Sequence, residues 1–304
     1  MWQGYLMAAG AAFLWSTMGI LGKLAYRYGA TPLPLVTIRA TIATLTLALV
    51  LKLIAPRLLH ISRKDLLFFA FYGLFGVALN YTCYFYALKY TTVAVAVILL
   101  YLYPAIVTVM GALFFRERLD WVKWVALAAA LAGCFLVVGG YNPSLLKVNL
   151  VGVLFGLGAG LTAAIATLSG KWAVRRYSPW TIVLYACGFG TFFLLLIWGQ
   201  RLAEAVHYPP MAWLIIALIA WFPTLLAYML FIASMRYIEA SHASITATLE
   251  PVMAVALAYF ILGETLESLQ LLGGVMVLGA ILMLSGKTAR NQKQDKNSQG
   301  VSLA

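Results

Sequence analysis

Glu250 is an ionisable residue inside an otherwise apolar stretch, eight residues in from its start at 242 and well short of its end at 262. A charge at the centre of a membrane-crossing helix costs about 2.5–3.5 kcal/mol on insertion scales, so a carboxyl at that depth needs a reason. Two roles fit. It can exchange a proton or bind a substrate amine, or it can stay protonated and hydrogen-bond neighbouring helices together. Pro251 follows it, and Pro104 holds the matching place in an earlier stretch. Each proline removes a backbone N–H and frees the carbonyl four residues before it, at Ala247 and Leu100. Both helices should kink there. An opened helix presents backbone polar groups to an internal cavity, as hinges and binding sites do; a static kink packed by Ser or Thr is the plain alternative.

Asn80 and Tyr84 are one helical turn apart in a third apolar stretch, with Tyr81 between them; Trp15, Trp221 and Tyr228 occupy the middle of others. Together they outline an aromatic, weakly polar cavity for an amphiphilic ligand, although any single aromatic also reads as core or lipid-facing packing. Arg39 lies near the start of its stretch, within snorkelling reach of the interface. A structural role is expected of it, and binding of a substrate carboxylate is the alternative. Glu117 and Glu264 end their stretches and are expected to cap helices or pair with Arg116 or Arg118. His242 reads as interfacial. Gly152, Gly156 and Gly160 form a small-residue stripe for close helix packing.

The elements that carry these residues follow from composition. Of 304 residues, 64% are apolar and 10% charged, where a soluble domain carries about a quarter charged; a soluble enzyme is excluded. Apolar runs of roughly membrane-crossing length, about 20 residues, occupy 4–22, 35–54, 66–88, 92–115, 121–138, 150–170, 179–199, 211–235, 242–262 and 269–285. They are continuous rather than alternating, which rules out a barrel and predicts an all-α membrane protein of ten transmembrane helices. Residues 287–304 are polar and expected to form a disordered cytoplasmic tail. The first stretch has no basic segment before it and is expected to be retained.

The net charge of +12 falls between the apolar runs and points to membrane orientation rather than to nucleic acid. With the N-terminus inside, the inner segments carry fifteen Lys and Arg and the outer loops five, which places both termini in the cytoplasm. Cys83, Cys134 and Cys187 lie in separate stretches, so neither a disulfide framework nor a metal site is expected.

Adding 147 to positions from about 66 to 137 lands on matching residues: Tyr81 on Tyr228, Tyr90 on Tyr237, Pro104 on Pro251, Glu117 on Glu264 and Leu131 on Leu278. An offset of 148 extends this backwards, pairing Gly4 with Gly152 and Lys23 with Lys171. The chain is a duplication, with units over 1–140 and 150–286. Each unit holds five spans; five is odd, so the second copy enters the membrane in the opposite sense. Inverted halves around a central cavity predict alternating access. Tyr103 is the counterpart of Glu250, while Tyr101 points about 200° away on an unbroken helix. Only one of the two is expected to face the cavity, and symmetry favours Tyr103.

These features resemble the EamA-type carriers of the drug/metabolite transporter superfamily: ten short helices in two repeats, Trp15 and Lys23 in the first span, Arg39 in the second, and the paired segments Pro104 to Leu119 and Glu250-Pro251 to Leu266. The resemblance runs to about residue 285. It implies a carrier of small metabolites in the bacterial inner membrane, often an exporter, with amino acids and aromatic compounds among the family's substrates.

There is no GxxxxGK[ST] loop, so a gradient rather than ATP is expected to drive transport. HExxH and GxSxG are absent too, and no cofactor, metal or catalytic residue is expected. The sequence reading is thus a secondary carrier for a small amphiphilic metabolite, with Glu250 as the proton-coupling candidate, Pro104 and Pro251 as hinges, and the lipid bilayer and substrate as partners. No obligate protein partner is evident. A passive pore and a membrane enzyme acting on lipid-linked substrates are the alternatives.

Overall fold

The computed structural model describes residues 2–146, 149–263 and 265–301, with side chains for all of these except Leu262 and 288–301. Its helices are α1 (Trp2–Arg27), α2 (Pro32–Ile54), α3 (Arg63–Tyr90), α4 (Val93–Phe115), α5 (Trp121–Val137), α6 (Leu150–Ala173), α7 (Pro179–His207), α8 (Pro210–Ser234), α9 (Ala240–Ile261) and α10 (Ser268–Val301). Among the described residues, nine are long and apolar enough to cross a membrane, and α5, at 17 residues, is a shorter apolar helix. Local chemistry sets the boundaries. Proline opens α2, α7 and α8, where its missing N–H costs nothing. Asp120 and Asn149 accept the first free N–H groups of α5 and α6, at 3.0 and 2.9 Å. Gly263, at φ +68°, turns the chain out of α9. α10 runs on as helix through Val301, across the segment expected to be disordered; Ala289, Arg290, Gln292 and Lys293 are good helix formers. Residues 302–304 lie outside the described residues.

α1–α5 and α6–α10 form two five-helix units that interlock. A Cβ on Gly4 would stand 2.9 Å from the Cβ of Tyr237, and one on Gly152 3.0 Å from the Cβ of Tyr90. Gly4 matches Gly152 and Tyr90 matches Tyr237, so the first helix of each unit packs against the end of the other unit's third helix in the same way. The stripe continues this contact: a Cβ on Gly156 or Gly160 would meet Leu99 of α4, at 2.5 Å from its side chain and 2.8 Å from its carbonyl oxygen respectively. α5 and α10 cross just as closely, with Gly133 and Gly273 each against the other's carbonyl.

Two irregularities repeat with the fold. α3 widens to a π-helix over Tyr72–Leu79 and α8 over Ala220–Leu226, which are equivalent positions at the 147 offset. α4 breaks at Tyr101 and Leu102, between pieces Val93–Leu100 and Tyr103–Phe115; α9 breaks at Thr248, between Ala240–Ala247 and Leu249–Leu262. Each break falls just ahead of its proline, where the helical hydrogen bond is lost.

Candidate functional site

The hydroxyls of Tyr81 and Tyr228 lie 3.2 Å apart. A residue that touches its own repeat equivalent sits on the pseudo-two-fold axis, so this pair marks where the halves meet. The widened turns of α3 and α8 end just before these tyrosines, and π-turns concentrate at functional positions. Trp15 packs edge-on to Tyr228, ring centres 5.4 Å apart, and lies 5.2 Å from Phe231. Beside them a small cavity of about 20 Å³ is lined by Tyr72, Cys187, Thr224 and both axial tyrosines, among others. That is room for about one water.

Glu250 is partly buried in the first turn of the second piece of α9. The break at Thr248 therefore sets Glu250 at the start of that piece. Tyr101, Tyr103 and Tyr84 are all electrostatic neighbours of Glu250. The expectation that only one of Tyr101 and Tyr103 faces this region is corrected: the chain turns between them, both are buried, and their ring centres are 6.2 Å apart. Tyr103 donates to the Ser244 carbonyl at 3.3 Å. The buried Tyr101 hydroxyl has no hydrogen-bond partner among the described residues.

The remaining candidates lie elsewhere. Asn80 gives its amide to the Ala159 carbonyl (2.9 Å) and the Thr162 hydroxyl (3.1 Å) of α6, which ties α3 to α6. Trp221 is 42% exposed on the bundle's flank, its indole N–H on Thr46 at 3.1 Å. It sits inside the π-turn, whose extra residue per turn shifts the face that a regular helix would present. Arg39 does not snorkel: it is 3% exposed, with its guanidinium 4.5 Å over the Tyr81 ring.

Sequence reasoning missed a buried polar cluster at the end carrying the N-terminus. Glu117, at the end of α4, accepts the N–H of Ala240 (2.9 Å), the N–H of Ser241 (3.4 Å) and the Ser241 hydroxyl. It therefore caps α9, and it pairs with Lys123 of α5 at 3.6 Å rather than with Arg116 or Arg118. Lys123 also meets Glu239 at 2.5 Å, and His242 lies between Tyr5 (2.8 Å) and Glu239 (3.6 Å). Outside this cluster opens a basin of about 340 Å³ lined by Arg118, Lys171, Arg236 and Lys287 among others. Glu264 lies outside the described residues. Among the described residues no group of His, Cys, Asp and Glu is placed to hold a metal ion, and the three cysteines are unpaired.

Two inverted five-helix units meeting at broken and widened helices make a polytopic membrane protein built like a transporter. The chain matches the EamA-like transporter family over residues 2–139 and again over 150–286, and it belongs to that family. An uncharacterized transporter of Archaeoglobus fulgidus is 33% identical over 208 residues, 67% of this chain and 72% of its own. The uncharacterized inner membrane transporter YicL of Salmonella typhimurium is 24% identical over 96% of this chain and 98% of its own. The pseudopaline exporter CntI of Pseudomonas aeruginosa is 27% identical over 93% and 96%. A solved crystal structure superimposes with a TM-score of 0.77 at 18% identity, covering 94% of this chain and 98% of that one, which supports the fold. Family and relatives are named as transporters rather than enzymes.

Proposed function

We propose that the protein is a secondary carrier of the cytoplasmic membrane, with both termini in the cytoplasm, that exports a small amphiphilic metabolite by alternating access. The observation that carries this reading is the paired irregularity of the two halves: π-turns in α3 and α8 and breaks in α4 and α9, at matching positions around one axis. Inverted halves of this kind exchange conformations to change the side that is open. Trp15, Tyr81, Tyr84, Tyr101, Tyr103, Tyr228 and Glu250 are the substrate-facing set, with Pro104 and Pro251 as hinges. Glu250 exchanges a proton against substrate. The Glu117–Lys123 cluster holds the cytoplasmic end shut in this conformation. Outward direction is supported by the relative named as an exporter.

The test is an efflux screen of cells overproducing the protein, followed by counterflow of the compound found in proteoliposomes. Saturable counterflow whose pH dependence disappears in Glu250→Gln is the expected result. Unitary currents, or an unchanged pH dependence in the folded variant, would contradict the carrier or the proton role respectively.

A further inference from the structure

Among the described residues Arg39 is a cation without a counter-ion. It is 3% exposed, and its guanidinium contacts only neutral groups: the Thr224 hydroxyl at 3.2 Å, the Met18 sulfur at 3.0 Å and the face of Tyr81 at 4.5 Å. Its Nε has no hydrogen-bond partner, and no carboxylate among the described residues pairs with it. A guanidinium is always charged and offers five N–H donors, and charges held within a membrane are ordinarily paired. Here a thioether and a ring face stand in for an anion, and both are weak acceptors.

Its position gives this deficit a use. The Tyr81 ring that covers Arg39 also carries the hydroxyl bonded to Tyr228 across the axis. Thr224, Tyr81 and Tyr228 line the small cavity there, and Thr224 and Tyr81 also touch the guanidinium, which stands behind that lining. We infer that Arg39, Thr224, Tyr81 and Tyr228 form a carboxylate subsite on the axis between the halves, collapsed in this conformation, and that the transported molecule carries an acidic group which supplies the missing counter-charge. The Arg fork matches a planar carboxylate with two parallel hydrogen bonds. Seating that group requires the Tyr81 cover to move, which couples anion binding to loosening of the inter-repeat bond. The inference deepens the carrier reading and rests on it for the word "transported", but the binding itself is measured separately.

Radiolabelled phenylacetate, an aromatic carboxylate without an amine, is the probe for scintillation-proximity binding to the purified full chain. Saturable binding is expected, weakened at least tenfold in Arg39→Met and less in Arg39→Lys, which keeps the charge and loses the fork. Phenethylamine, chloride and inorganic phosphate should not displace it. Absence of saturable binding to the parent protein, or equal affinity in a monodisperse Arg39→Met, overturns the proposal. Displacement by chloride or phosphate overturns the carboxylate assignment. Should Arg39→Met fail to fold, Thr224→Val and Arg39→Lys decide: unchanged affinity in both is contrary. Binding through Arg39 without vectorial movement would sink the carrier reading and leave the subsite standing; counterflow indifferent to Arg39 would do the reverse.

Discussion

The starts of α4 and α9 are equivalent places in the duplicated fold, Val93 matching Ala240 at the 147 offset, yet they are finished differently. At α9 the first backbone N–H groups go to Glu117, a carboxylate delivered from the far end of α4 and held by Lys123. At α4 the cap is local: Thr92 accepts the N–H of Val95 at 3.3 Å and its hydroxyl donates a hydrogen bond to the Leu145 carbonyl. Among the described residues, which do not include Glu264, the counterpart of Glu117, one end of the bundle is tied across helices by buried charge and the other by the Thr92 hydroxyl.

Breaking the stronger tie should have the largest effect. Glu117→Ala leaves two α9 N–H groups and the Ser241 hydroxyl without their acceptor and the 2%-exposed Lys123 with Glu239 alone. Removing one partner of a buried pair costs about 3–5 kcal/mol, readable as a fall in unfolding free energy in mixed micelles. Thr92→Ala should cost about 0.5–2 kcal/mol, the usual range for a lost cap. Equal losses from the two would erase the contrast between the ends. At the axis, Tyr81→Phe and Tyr228→Phe remove the same bond, so each should cost about 0.5–1.5 kcal/mol and the double variant little more than either. Additive losses would show that the two hydroxyls do not bond each other.

The smallest effect belongs to Asp120, at the start of α5. Partial burial works against its ionised form, but hydrogen bonds from Lys287 and the Lys123 N–H outweigh it and hold the carboxyl below its ordinary value. A depressed carboxyl stabilises the fold above its unfolded-state range and loses that contribution as pH falls through the lowered value. An acid-side decline in thermal stability should therefore shrink in Asp120→Asn, modestly and less at high salt because the side chain is 38% exposed. A decline of undiminished size in the variant would remove Asp120 from the account.

The helix count and the duplication were legible because run length and matched prolines, glycines and charges are properties of the chain itself. Their consequences in space were only partly so. Prolines 104 and 251 marked the breaks, but a break turned Tyr101 inward beside Tyr103, which a regular 3.6-residue period does not allow for. The π-turns leave no mark in hydropathy, and they set Trp221 on the flank. Arg39 read as a snorkelling residue because depth along a helix says nothing about which face the side chain takes. Glu117 was recognised as a cap, but its partners, Lys123 and the start of α9, are neighbours only in the folded bundle.

Alternating access is tested most directly by spin-label distances in nanodiscs, with the native cysteines replaced. One label pair spans the closed end at Arg118 and Arg236, which line the basin, and the other spans the opposite end at the exposed Val93 and Ile261. Weakening the tie with Glu117→Gln should add a longer distance for the first pair and a shorter one for the second. Two unchanged distances, or both lengthening together as in an opening pore, would contradict the account.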